Sequence, residues 1–170
     1  MHTTLTMLLA VIDNAAPIAK QIELTILVVW AMLLGGLVGI ERERASKASG
    51  IRTHMLVAGA AAIVVYISEE IVATGGGDGS RGIHGVITGI GFLGAGAIIQ
   101  SKKGVVSGLT TAAAIFHTAA IGTAVAAGYG IAATFGTVMA ILVLYGIGRF
   151  SRRHPLRPER RIDPEEQREQ

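Results

Sequence analysis

The sequence predicts an all-α membrane protein with five transmembrane helices, and two observations indicate this class. Hydrophobic residues make up 51% of the 170-residue chain and mean hydropathy is +0.54, whereas only 16% of residues are charged. Residues 22–40 form an apolar run whose one charge, Glu23, lies near its start. At about 1.5 Å per residue a helix over this run spans roughly 28 Å, close to the hydrocarbon thickness of a bilayer. A soluble domain does not need a helix that is apolar on all sides over this length.

Four further apolar segments follow the first, and each is bounded by turn-forming or charged residues. The glycine-rich loop 75–80 separates the second segment from the third, and residues 127–130 turn the chain before the last. The predicted spans are 22–40, 54–73, 84–100, 106–126 and 131–148. We therefore expect three parts: an N-terminal tail or short interfacial helix at 1–21, a transmembrane domain at 22–148, and a basic, charged tail at 149–170.

The basic residues predict the orientation of these spans. Five spans place the two ends on opposite sides, and Lys and Arg concentrate on the cytoplasmic side of a membrane protein. An outside N-terminus and a cytoplasmic C-terminus put 13 of the 15 Lys and Arg residues inside, with Lys20 and Arg81 outside. The net charge of +3 therefore follows membrane topology and does not indicate nucleic-acid binding. We expect the arginine-rich tail to contact anionic lipid, at about 1 kcal/mol per basic residue.

Glycines at helical spacing predict faces where helices approach closely. Lipid is as apolar as leucine, so membrane helices associate by close fit, which small residues permit. The predicted packing glycines are Gly35, Gly39, Gly85, Gly89, Gly91, Gly94 and Gly96. They indicate packing within the chain or between the subunits of a homo-oligomer, and the alternative is a site where backbone meets an ion or small ligand. Residues 89–94 also match GxGxxG, but no strand precedes them, so dinucleotide binding is not expected.

The fourth span carries a polar face. At about 100° per residue its polar side chains fall within roughly 120° of arc, and Phe116 points the opposite way. These side chains are Ser107, Thr110, Thr111, His117 and Thr118. One interpretation is that the hydroxyls bond carbonyls of their own helix while the face packs on a neighbour; the other is a polar lining for a cavity or ion path. His117 lies near mid-span, where an ionisable group is costly and so becomes a functional candidate.

A second polar group is predicted at the cytoplasmic face, where the first two spans meet. The end of span one supplies Glu41, Arg42 and Glu43, and the start of span two supplies Arg52, Thr53 and His54. We expect Glu41 or Glu43 to pair with Arg52, Thr53 to cap the second span, and Thr110 and Thr111 to join them. The cluster is either a structural ion-pair network or a binding site for a cation, an anionic lipid headgroup or a partner protein.

The residue inventory contains no enzyme signature. There is no cysteine, which excludes disulfides, thiol nucleophiles and sulfur-ligated metals. There is no nucleophile–base pair, no metal-ligand spacing and no phosphate loop, so we expect neither an enzyme nor a resident cofactor. Binding of Mg²⁺ or of a phospholipid stays a possibility. For Mg²⁺ the reason is that acids outnumber bases on the outer side and that Mg²⁺ needs only one or two carboxylates. These acids are Asp13, Glu23, Glu69, Glu70 and Asp78.

Four ordered motifs resemble the MgtC/SapB family of bacterial inner-membrane proteins. They are the segments 39–43 (GIERE), 50–57 (GIRTHMLV), 88–96 (TGIGFLGAG) and 108–113 (GLTTAA), the last followed by Ala120-Ile-Gly122. The resemblance covers about residues 30–130 and implies a five-helix inner-membrane domain associated with magnesium transport, growth at low magnesium and virulence. Two departures stand out. Phe116 occupies a position where the family usually has tryptophan, and many members carry a soluble C-terminal domain where this sequence has only the mostly polar residues 149–170.

Three functions follow as hypotheses. The first is a role in Mg²⁺ homeostasis or in adaptation to low Mg²⁺ and stress, exerted by regulating other membrane proteins. The second is an ion transporter or channel with its path along span four. The third is a lipid-binding or scaffolding protein whose partners are membrane lipids or further copies of the chain.

Overall fold

The computed structural model describes residues 16–99 and 107–147, which fold into five α-helices. They are α1 (Ile18–Arg44), α2 (Ile51–Ala73), α3 (Ser80–Ile99), α4 (Leu109–Ala126) and α5 (Gly130–Leu142), the last continuing into a π-helical turn at Val143–Ile147. No residue in these two ranges lies in a strand. Helices α1 to α4 are long and apolar enough to cross a membrane, and α5 is shorter. The predicted all-helical fold class is confirmed.

The helix boundaries differ from the predicted spans where polar residues continue or delay a helix. Helix α1 runs through the charged segment to Arg44, because Glu and Arg are good helix formers and the basic residues of its last turn face the negative end of the helix dipole. Helix α4 begins only at Leu109, because Gly108 has a φ of 90°, a left-handed conformation that glycine adopts without strain.

Helix α4 contacts each of the other four helices. The most extensive contact is that between α1 and α2, α5 packs against α4 and α1, and α3 lies at the edge against α4 and α2. The centre of the bundle is built from small and β-branched residues that are completely buried: Ala31, Val38, Ala58, Ala62 and Val125. Their short side chains let the helix backbones approach closely, which is the main source of association between helices in lipid.

Helix α3 is the least covered of the four long helices. Only 17% of its most apolar stretch is buried inside the bundle, against 50% for α4. Phe92, near its middle, is 82% exposed. Much of α3 therefore faces outward from the described bundle.

Three predicted features lie outside the described residues. They are the N-terminal tail up to residue 15, the connection between the third and fourth predicted spans, and the basic tail after the last span.

Candidate functional site

The junction of α1 and α2 is a polar site in which Glu43 holds the start of α2. The Glu43 carboxylate accepts a hydrogen bond of 3.1 Å from the backbone N–H of Ile51, the first residue of α2. The first N–H groups of a helix have no partner within it, and they form its positive end. A carboxylate from the preceding helix therefore caps α2 and explains why α2 begins earlier than the predicted residue 54.

Glu41 and Arg42 form an ion pair beside this cap. Two guanidinium nitrogens of Arg42, Nε and one Nη, contact Oε2 of Glu41. The Arg42 side chain is only 3% exposed. A charge this deeply buried needs a partner, since an unpaired buried charge is strongly destabilising.

The predicted ion pair of Arg52 with Glu41 or Glu43 is wrong, and so is the predicted role of Thr53 as the cap of the second span. The two ion pairs that residues 16–99 and 107–147 form are Arg42–Glu41 and Lys20–Glu70, so neither Glu41 nor Glu43 pairs with Arg52. Arg52 is exposed, because it lies on the outward side of α2. Thr53 is also exposed and lies inside the first turn, while Gly50 is the N-cap residue. That Thr110 and Thr111 join this cluster stays a prediction; Thr110 is exposed and Thr111 is buried.

His54 is the most deeply buried polar residue of the junction, at 0% exposure. Its Nδ1 lies 2.9 Å from the carbonyl oxygen of Gly50 and 3.4 Å from the hydroxyl of Ser49. Its Nε2 is buried and has no hydrogen-bond partner. Buried polar atoms are nearly always paired, so an orphaned imidazole nitrogen is unusual.

The polar face of α4 is packed at Thr111 and Thr118, half-buried at His117, and exposed at Ser107 and Thr110. Thr118 is completely buried, and its hydroxyl donates to the Ala114 carbonyl of its own helix at 2.9 Å. His117 is half-buried, and its Nε2 donates to the Gly136 carbonyl of α5 at 3.1 Å. Phe116 is 49% exposed, on the opposite side as predicted. Ser107, just before the helix, is exposed and makes polar contacts.

Two cavities flank α3, and both are lined mostly by apolar side chains. The first, of about 370 Å³, lies between α2 and α3, where Leu56, Ala60 and Gly89 are among its lining residues. The second, of about 330 Å³, lies between α3 and α4 beside Phe116. Their linings suit a hydrocarbon chain or an apolar side chain better than a hydrated ion.

The predicted packing glycines divide into two groups. A Cβ added at Gly35 would lie 2.6 Å from the His54 carbonyl oxygen, and one added at Gly39 would lie 2.6 Å from the Ile51 Cα, so both seat α1 on α2. On α3, a Cβ at Gly94 would meet only Ala112, at 3.6 Å. The four other predicted packing glycines of α3 would meet no atom of another described helix within 4 Å: Gly85, Gly89, Gly91 and Gly96.

At the opposite end of the bundle, α1 and α2 are joined by polar contacts. Lys20 pairs with Glu70, and the Tyr66 hydroxyl donates to Glu23 at 3.2 Å. In the loop that follows, Asp78 accepts hydrogen bonds from the Ser80 hydroxyl and from the Ser80 backbone N–H, which hold the pKa of Asp78 below its usual value. Within the described ranges, no group of three or more His, Cys, Asp or Glu side chains could hold a metal ion.

Sequence reasoning missed two residues of these packed regions. Gly122 lets α4 lie directly on the Ala58 backbone of α2. Gly122 is four residues after Thr118, on the same buried face, and this periodicity was the available signal. Ser49, beside His54, had no comparable signal, because loop geometry places it.

These observations define a multi-pass, all-helical membrane protein with a tight α1–α2 hairpin and an open, glycine-rich third helix. The sequence model of the MgtC family matches residues 28–153. The chain belongs to the MgtC family.

The chain is similar to several named proteins. It is 37% identical over 151 residues to Protein SrpB of Synechococcus elongatus, covering 80% of this chain and 81% of that protein. It is 38% identical over 128 residues to the "Putative magnesium transporter YhiD" of Escherichia coli K12, covering 72% of this chain and 59% of that protein. It is 44% identical over 114 residues to Protein MgtC of Brucella abortus, covering 66% of this chain and 46% of that protein. The chain thus spans about half the length of the last two. No solved structure matches it.

Proposed function

We propose that this protein serves Mg²⁺ homeostasis in the bacterial inner membrane by binding another membrane protein through α3. Family membership and the magnesium-related names of similar proteins support the connection with Mg²⁺. The observation that supports a regulatory contact is the open glycine face of α3, which carries Gly85 and Gly89. A regulator of this kind changes the activity of its partner without itself carrying the ion.

The glycines of the other helices support the interpretation that an open glycine face receives a further helix. Gly35 and Gly39 seat α1 on α2, and Gly122 seats α4 on α2. Glycine destabilises a helix by about 1 kcal/mol relative to alanine, so glycines in a membrane helix need a compensating contact. Gly85 and Gly89 lack such a contact within the described bundle. A transmembrane helix of a partner protein would supply it.

The packing of α4 disfavours the rival function, an ion path along this helix. Thr118 bonds its own helix and His117 bonds α5. Both side chains are thus engaged in packing contacts and would need to exchange partners before they could coordinate a passing ion.

The test is complementation of growth at low Mg²⁺ in a strain that lacks this protein. Gly89→Leu adds bulk on the open face, where an added Cβ would meet no described atom within 4 Å. We expect it to abolish growth support while the protein still accumulates in the membrane. Ala132→Leu is the matched control, because Ala132 is exposed on α5, away from α3. Unchanged growth with Gly89→Leu, or an equal loss with Ala132→Leu, would contradict the proposal.

A further inference from the structure

The buried imidazole of His54 has a defined protonation pattern. The Gly50 carbonyl can only accept, so the 2.9 Å contact requires that His54 Nδ1 carries the hydrogen. In the neutral ring Nε2 then carries a lone pair and no hydrogen. This atom is buried and unpartnered. Leaving such an acceptor without a donor costs about 1–3 kcal/mol, so the fold retains an unsatisfied proton acceptor at the α1–α2 junction.

The surroundings of His54 offer no acceptor that is ready for a proton on Nε2. From α1, the charges of Arg42 and Glu41 both act on the ring, and Glu41 is already paired with Arg42. The Glu43 carboxylate, also from α1, already accepts the backbone N–H of Ile51. From α4, the one titratable group in the described residues is His117, which is bonded to α5. From α3, the titratable groups are Arg81 and His84, and they lie at the opposite end of the bundle, where Gly82 contacts Ser68 near the end of α2.

The position of His54 couples its charge to helix packing. Gly35 of α1 lies directly against the His54 backbone carbonyl, so there is no free space between the two helices at this level. A proton on Nε2 creates a charged donor that is buried and has no protein acceptor. This cost is relieved if α1 and α2 separate enough for Nε2–H to reach an acceptor.

We propose that His54 is a proton-binding site that loosens the α1–α2 hairpin when the solution at the junction becomes acidic. The proton joins the Nε2 lone pair and converts the neutral imidazole into imidazolium. The separated hairpin exposes Nε2–H to water or to Glu41. Because one proton is bound, the ratio of separated to closed hairpin rises at most about tenfold per pH unit.

The chain suits a distance measurement, because it has no native cysteine. Leu37→Cys on α1 and Leu56→Cys on α2 are exposed positions for spin labels. In lipid nanodiscs we expect a second, longer label distance to grow as the pH falls from about 7.5 to about 4.5, a range that extends below the one in which a free histidine changes charge. His54→Gln, which cannot take up this proton, should remove the response. His84→Gln, at an exposed imidazole, should keep it.

A second measurement does not depend on the folding of any His54 variant. In protein with ¹⁵N-labelled histidine, we expect the Nε2 resonance of His54 to be that of a bare nitrogen at pH 7.5 and to become protonated together with the change in label distance. The proposal is overturned if His54→Gln responds like the native chain, if Nε2 carries a proton at pH 7.5, or if its protonation leaves the label distance unchanged.

Discussion

Single atoms decide how the hairpin of α1 and α2 is assembled. Gly35 and Gly39 are tolerated on α1 because any Cβ there would overlap the backbone of α2. Glu43 satisfies the first N–H of α2. The sequence motifs at the α1–α2 junction are thus explained in large part by helix packing and helix capping, with His54 as the residue whose surroundings packing does not explain.

Alanine at Gly35 and alanine at Gly85 should have opposite effects on stability. Gly35→Ala forces a Cβ against the His54 carbonyl, and overpacking of this kind costs about 1–3 kcal/mol. Gly85→Ala meets no neighbouring helix and should stabilise the isolated chain by up to about 1 kcal/mol, because alanine is the better helix former. Thermal unfolding in detergent measures both variants. Equal destabilisation by the two would show that α3 is packed in the isolated chain.

Among the helices, the position and apolar character of each span were predictable, because every segment that crosses a bilayer must be apolar over a similar length. The contacts between helices were not. Gly35-xxx-Gly39 and Gly85-xxx-Gly89 have the same spacing, yet only the first is covered by another helix in the described bundle. Spacing shows that a helix can be approached closely, whereas the partner depends on how each helix is rotated. The same rotation placed Arg52 outward, away from Glu41.

Asp78 should stabilise the start of α3 in a pH-dependent way. Its pKa is lowered by hydrogen bonds from Ser80 in the folded protein, so its contribution is complete above the unfolded pKa, near 3.8, and is lost as the pH falls through the lower folded value. Asp78→Ala should therefore lower the unfolding temperature at pH 7 but not at a pH below both values. Thermal scans at the two pH values measure this, and a deficit of equal size at both would show that the carboxylate charge does not contribute.

For the whole molecule, the distribution of Lys and Arg predicts that the α1–α2 loop is cytoplasmic and the α2–α3 loop is external. Single cysteines at two exposed loop positions, Lys47→Cys and Thr74→Cys, test this in a chain without native cysteine. A membrane-impermeant maleimide should label the cysteine at 74 in intact spheroplasts and the cysteine at 47 only after lysis. Labelling in the reverse order would invert the topology and move the His54 junction to the outer side.

The distribution of packed and uncovered surface in the whole molecule also bears on its function. Helices α1, α2 and α4 form a closely packed centre, and α3 is the long helix with most of its surface uncovered. This arrangement supports association with a partner through α3 over an ion path through the centre of the bundle. It therefore favours the proposed regulatory role over transport.

The central claim is that the protein acts in Mg²⁺ homeostasis without carrying the ion. Mg²⁺ uptake by proteoliposomes that contain only the purified protein, with an inward Mg²⁺ gradient, tests it most directly. We predict uptake no faster than in protein-free vesicles, at external pH 7.5 and at external pH 5.5 alike. Uptake that increases with the amount of protein and falls in Thr118→Val would contradict the claim and place an ion path along α4.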